Sequence, residues 1–105
     1  MTDKLLVFTT TGSEPEAKKI ANALVERRLA ACVNLVPLIQ SVYRWDGKVE
    51  HAEEYLLLIK TAKSREAEVH AAIRELHSYD LPECIAVELE SGSPEYLQWL
   101  SESVT

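Results

Sequence analysis

Five side chains in this sequence carry soft or borderline donor atoms able to bind transition metals or attack an electrophile: Cys32, Cys84, His51, His70 and His77. The cysteines stand 52 residues apart and make neither a C-x-x-C pair nor a zinc-ribbon spacing. A thiolate suits Cu(I), so Cys32 is a candidate copper ligand. Its plainer role is that of a small apolar residue at a strand start. His70 and His77 share a helix face, but seven residues at 1.5 Å each put them about 10.5 Å apart along the axis. They cannot chelate one ion together, as an i, i+4 pair could. His51 sits among Glu50, Glu53 and Glu54, a solvated acidic face that would hold hard cations only weakly. His77 closes a helix, where its charged form suits the dipole and its ring could cap the last carbonyls. No cysteine or serine has an identifiable base beside it, and the three glycines form no phosphate loop. An enzyme is therefore the least supported class.

The elements that must position these groups belong to one domain, residues 1–105. Apolar residues make up 47% and charged residues 27% of the chain, a globular balance. A formal charge of −6 argues against nucleic acid and against an anionic membrane surface as partners. No apolar run approaches the roughly 20 residues that span a bilayer. The first residues lack a basic segment followed by a long apolar one, so no secretory leader is expected. Unpaired thiols then fit a cytoplasmic location.

Residues 4–10 read as a continuous apolar strand. Ser13, Pro15 and Glu16 form a helix start, a capping box with proline in the first turn. Ala17, Ile20, Ala21 and Leu24 continue it at helical spacing. Residues 30–44 form a second strand, interrupted by Pro37, which implies a bulge or an edge. Asp46-Gly47 is a two-residue hairpin turn, and residues 48–62 return. A second helix covers 63–77 with Ser64 as its cap. Residues 84–90 alternate as a fourth strand, and Ser93-Pro94 opens a last helix. The order βαββαβ plus a terminal helix predicts an α+β, ferredoxin-like sandwich with an antiparallel sheet, strand order 4-1-3-2 and a long β2–β3 hairpin. Cys32 and Cys84 then start strands on opposite edges, too far apart for an intrachain disulfide.

Each hairpin arm holds about 14 residues and reaches roughly 45 Å at 3.3 Å per residue. A domain of this length is only about 34 Å across. The hairpin should overhang its core or bend at Pro37. Its apolar residues face both ways, while two helices cover one face. An open apolar face with unpaired strand edges calls for neighbouring copies in a closed oligomer.

Five motifs occur in order: Ala30-Ala31-Cys32-Val33-Asn34, Tyr43-Arg44-Trp45-Asp46-Gly47-Lys48, Lys60-Thr61, His77-Ser78-Tyr79-Asp80-Leu81-Pro82-Glu83 and Tyr96-Leu97-Gln98-Trp99-Leu100. Together the chain resembles the CutA divalent-cation-tolerance proteins. The resemblance implies a very stable homotrimer of ferredoxin-like subunits joined by strand pairing. It also implies a cytoplasmic bacterial protein tied to tolerance of copper and other divalent metals. Two positions depart from the pattern: Ser78 stands where proline is common, and Cys84 where an aliphatic residue is usual.

His77 is the only histidine inside a motif, which makes it, with Cys32, the metal candidate. Trp45, Lys60, Tyr79 and Glu83 come from segments that subunit contact could gather into a ligand pocket. Alternatively Glu83 pairs with Lys60, and Tyr43, Trp45 and Trp99 are interface anchors. The expectation is a non-enzymatic trimer binding copper or another divalent cation. The alternative is a sensor similar to the trimeric PII proteins, holding a small anionic metabolite through Lys60 and Tyr79.

Overall fold

The apolar run at the start of the chain forms the first strand, β1 (Lys4–Thr11), and Thr9-Thr10-Thr11 continue it to the glycine that ends it. In the computed structural model, which describes residues 2–105, it is followed by α1 (Glu14–Glu26), β2 (Cys32–Trp45), β3 (Lys48–Ala62), α2 (Glu66–Leu76), β4 (Ile85–Glu88) and α3 (Pro94–Ser103). The four strands form one antiparallel sheet in the order β2-β3-β1-β4, as the βαββαβ pattern predicts.

Side-chain alternation divides the sheet into two faces. Leu5 and Val7 of β1 lie beside Thr61 and Ile59 of β3, and they pack with Leu57 against Ala17, Ile20 and Leu24 of α1 and Val69, Ala72 and Ile73 of α2. This is the core; each of its larger aliphatic side chains contributes about 1.5–3 kcal/mol by leaving water. The opposite face carries Leu6, Phe8, Leu56 and Leu58, which stay partly exposed, and Ile85 and Val87, which are exposed. Only α3 approaches that side, closing a small cluster of Ala31, Ala62, Leu100 and Val104 at one end. The uncovered apolar face expected from the sequence is therefore present.

Two helix starts follow the sequence. The Ser13 hydroxyl accepts from the Glu16 N–H at 3.4 Å, and Ser93 accepts from Tyr96 N–H at 3.3 Å. The second helix differs from expectation. Residues Lys63–Arg65 form a 3-10 turn, α2 begins at Glu66, and Ser64 makes no cap, because the turn keeps its side chain off the helix N–H groups. The fourth strand is also shorter than 84–90, since only Ile85–Glu88 pair in register with β1.

The hairpin is the longest feature. Between Val36 and Ile39 the register shifts by a bulge, where Pro37 sits and Leu38 takes a φ of 55°. Beyond it, the pairs from Ile39↔Glu54 to Trp45↔Lys48 bond only to each other. Asp46 and Gly47, with φ of 52° and 77°, make the tight turn. Positive φ at both central residues is the geometry that matches strand twist. This ribbon stretches the molecule to 44 × 25 × 23 Å. Both cysteines are free.

Candidate functional site

Glu54 is the first β3 residue past the bulge, opposite Ile39, and it is only 6% exposed. The Tyr79 hydroxyl donates to its Oε2 at 2.7 Å. Tyr79 reaches this position because the chain turns extended at His77, directly after α2. The His77 side chain is wholly buried. Its Nδ1 accepts from the Tyr79 N–H at 3.0 Å, so its Nε2–H donates to the Thr10 carbonyl at 2.6 Å. The two rings lie 4.6 Å apart. Glu16 Oε1 stands 3.6 Å from His77 Nδ1 and is buried without a donor. Gly12 leaves room for the tyrosine: a Cβ there would stand 3.1 Å from the Tyr79 hydroxyl. Burial, with the Glu54 carboxylate second, pushes the Tyr79 phenol up to about 12, so it remains a donor at neutral pH.

A cavity of about 730 Å³ opens between residues 40–45 of β2 and the loop 79–83. Its lining residues include Tyr43, Trp45, Tyr79, Glu54, Asp80 and Glu83, and no lysine, arginine or histidine is among them. Trp45, Tyr79 and Glu83 thus meet within a single chain. Tyr43, expected only at an interface, joins them.

Lys60 does not. It lies six residues from Glu54 along β3, about 20 Å at strand rise. Its ammonium binds Asn34 Oδ1 and stands 3.9 Å from Cys32 Sγ, so it pairs with neither Glu83 nor Tyr79 in this chain. Within one chain β3 carries Lys60 to the far end of the sheet from this cavity.

Cys32 and His77 are likewise separate. Cys32 pairs with Lys60, whereas His77 bonds to Thr10, whose β3 partner is Leu56. Four residues of strand, about 13 Å, lie between them. His77 has both ring nitrogens engaged. Among the described residues, no three His, Cys, Asp or Glu side chains converge to hold a metal. Half-buried Cys32 instead neighbours Tyr96, whose phenol is raised by burial and then by the cysteine. The Tyr96 ring lies 5.3 Å from Trp99, which is exposed. His70 and Cys84 line a second, smaller cavity with Leu81 and Pro82. Burial pushes the Cys84 thiol up to about 11.

Sequence reasoning missed Glu54 and Gly12. Glu54 stands in an acidic run that reads as solvated, and only the pairing of β3 with the α2 exit buries it. A glycine after three threonines reads as a strand end, with no local sign of a tyrosine arriving from residue 79.

The family model described as CutA1 divalent ion tolerance protein matches residues 5–103. The divalent-cation tolerance protein CutA of Thermus thermophilus is 46% identical over 98 residues, covering 93% of this chain and 95% of that protein. The chloroplastic protein CutA of Arabidopsis thaliana is 44% identical over 99 residues, covering 94% of this chain and 54% of that protein. The chain also spans about half the length of its mouse and human relatives. The crystal structure of CutA from Xylella fastidiosa superposes with a TM-score of 0.97 at 42% identity, covering 99% of this chain and 100% of that one.

Proposed function

The chain belongs to the CutA1 divalent ion tolerance family, and from that premise we propose that it is a non-enzymatic homotrimer that binds copper or another divalent cation in the response to metal ions. What carries the reading is the match along residues 5–103 to proteins named for divalent-cation tolerance. One chain supplies no closed ligand set among its described residues, so a bound ion takes donors from more than one copy. The Cys32 thiol is a soft donor suited to Cu(I). His77 joins only by releasing Thr10 or Tyr79. The uncovered sheet face and the free ribbon are the surfaces through which copies assemble. Free thiols support a cytoplasmic location, and no helix is long and apolar enough to cross a membrane. A charge of −6 disfavours nucleic acid and an anionic membrane as partners.

Anaerobic calorimetric titration of the assembled protein with Cu(I) tests the metal reading. The expected result is a saturating isotherm that weakens at least tenfold in Cys32→Ser. His77→Ala, measured alongside, reads whether the histidine contributes. A wild-type protein that takes up neither Cu(I) in this titration nor Cu(II) or Zn(II) in parallel ones overturns the proposal.

A further inference from the structure

Alternation along β3 sets Glu54, Leu56, Leu58 and Lys60 on the uncovered face of the sheet, where the last three pair with Thr10, Phe8 and Leu6 of β1. Charge is therefore divided along that face. At one end Glu54, Asp80 and Glu83 line the cavity, with no lysine, arginine or histidine among its lining residues. Leu6, Phe8, Leu56 and Leu58 form an apolar middle. Lys60 stands at the other end, about 20 Å along the strand from Glu54.

Neither end is neutralised within the chain. Among the described residues no lysine or arginine pairs with Glu54, Asp80 or Glu83, and no carboxylate pairs with Lys60. The partners of Lys60 are the Asn34 amide oxygen and the Cys32 sulfur. Assembly sharpens the imbalance. A neighbour covering the apolar middle takes water from Lys60, which is already half-buried, and a charge removed from water without a partner is costly. One chain cannot bring its own Lys60 to its own carboxylates across 20 Å of strand. A closed ring can, because head-to-tail contact offers one end of the face to each neighbour. Lys48 shares the alternation but is exposed at the hairpin turn, so it has less need of a partner.

We propose that the acidic cavity is a socket between copies: Lys60 of the partner subunit enters it, its ammonium against Glu54 and Glu83 and its stem against Tyr43 and Trp45. The cavity is then closed and neutralised in the assembly, with one such pair at each contact. The socket rests on the trimer reading and adds to it the residues that fix which ends meet.

Sedimentation equilibrium first gives the size of the wild type. A double-mutant cycle on dissociation of the assembled protein, in urea at fixed ionic strength, then tests the contact. Lys60→Met and Glu54→Gln should each raise the dissociation constant at least tenfold, and the double variant should be no weaker than the weaker single. Residues about 20 Å apart in one chain act additively, so such coupling reads a contact between copies. Lys48→Met combined with Glu54→Gln should be additive. Should Glu54→Gln fail to fold, zero-length carbodiimide crosslinking of the wild type gives the second reading. Peptide mapping should then find Lys60 joined to Glu54 or Glu83 in bands of two and three times 11.8 kDa. In a wild-type trimer, additive effects of Lys60→Met and Glu54→Gln, or in the crosslinking arm no link from Lys60 to these carboxylates, overturn the socket and leave the trimer standing. A single-chain mass overturns both.

Discussion

Gly12 has no side chain where the Tyr79 hydroxyl passes, and this vacancy lets the phenol reach Glu54. Gly12→Ala places a methyl 3.1 Å from that hydroxyl. The hydrogen bond should lengthen or break, at a cost of about 1 kcal/mol. An alkaline titration of tyrosinate absorbance should then show one phenol moving from about 12 back toward its ordinary value of 10.0. The sign for stability follows. The folded-state value is raised, so the contribution of Tyr79 is complete below about 10 and is lost as pH climbs toward 12. Denaturant midpoints measured across that window should fall more steeply in the wild type than in Tyr79→Phe. Cys84 follows the same logic with a kinetic readout. Its thiol is pushed from 9.0 up to about 11 by burial. At pH 8 its thiolate fraction, and with it the alkylation rate by iodoacetamide, should lie about a hundredfold below that of an unperturbed thiol. A Cys32→Ser protein that alkylates at the ordinary rate would contradict this.

Among the elements, the β2–β3 ribbon is the least supported. Past the Val36/Ile39 bulge its two strands pair in the sheet only with each other, and Val42, Tyr43, Trp45 and Val49 are exposed. An isolated two-stranded ribbon is marginal in water, so its turn has to be well made. Gly47 sits at φ 77°, a region that side chains disfavour. Gly47→Ala should destabilise by about 1–2 kcal/mol, seen as a lowered thermal midpoint and faster amide exchange in the ribbon before the core. The C-terminal element is held differently. The Arg28 guanidinium donates to the carbonyls of Glu102 and Thr105 at 2.8 and 3.0 Å, and Arg65 donates to that of Val104 at 2.8 Å. Two cations thus meet the carbonyl end of α3, where the helix dipole is negative.

On the scale of the whole molecule, the helices leave one sheet face without cover. Leu6, Phe8, Leu56 and Leu58 are partly exposed there, and Ile85 and Val87 are 60% and 50% exposed. Apolar patches of this kind mark interaction surfaces, and the free edges of β2 and β4 add unpaired backbone. Sedimentation equilibrium should give three times the 11.8 kDa of one chain. Val87→Asp, which puts a charge on the open face, should shift the equilibrium to smaller species while far-UV dichroism stays near native. A single-chain mass for the wild type at micromolar concentration would remove the trimer.

Local patterns in the sequence were enough for the element order, the strand order, the Pro37 bulge, the Asp46-Gly47 turn and two of the three helix caps. Each of these depends on near neighbours: alternation, proline's fixed φ, or a hydroxyl three residues from an N–H. The motifs carried the family for the same reason, since they lie along the whole chain. The site was legible only in part. Within one chain Trp45, Tyr79 and Glu83 line one cavity, while Lys60 and Cys32 lie at the other end of the sheet, away from it and from His77. Those groupings depend on register, which sets about 20 Å of β3 between Lys60 and Glu54. Only the folded sheet decided that Glu54 is buried, that Gly12 makes way for Tyr79, and that the cavity is acidic. Burial and charge balance at a point are sums over side chains distant in sequence, and no local pattern contains them.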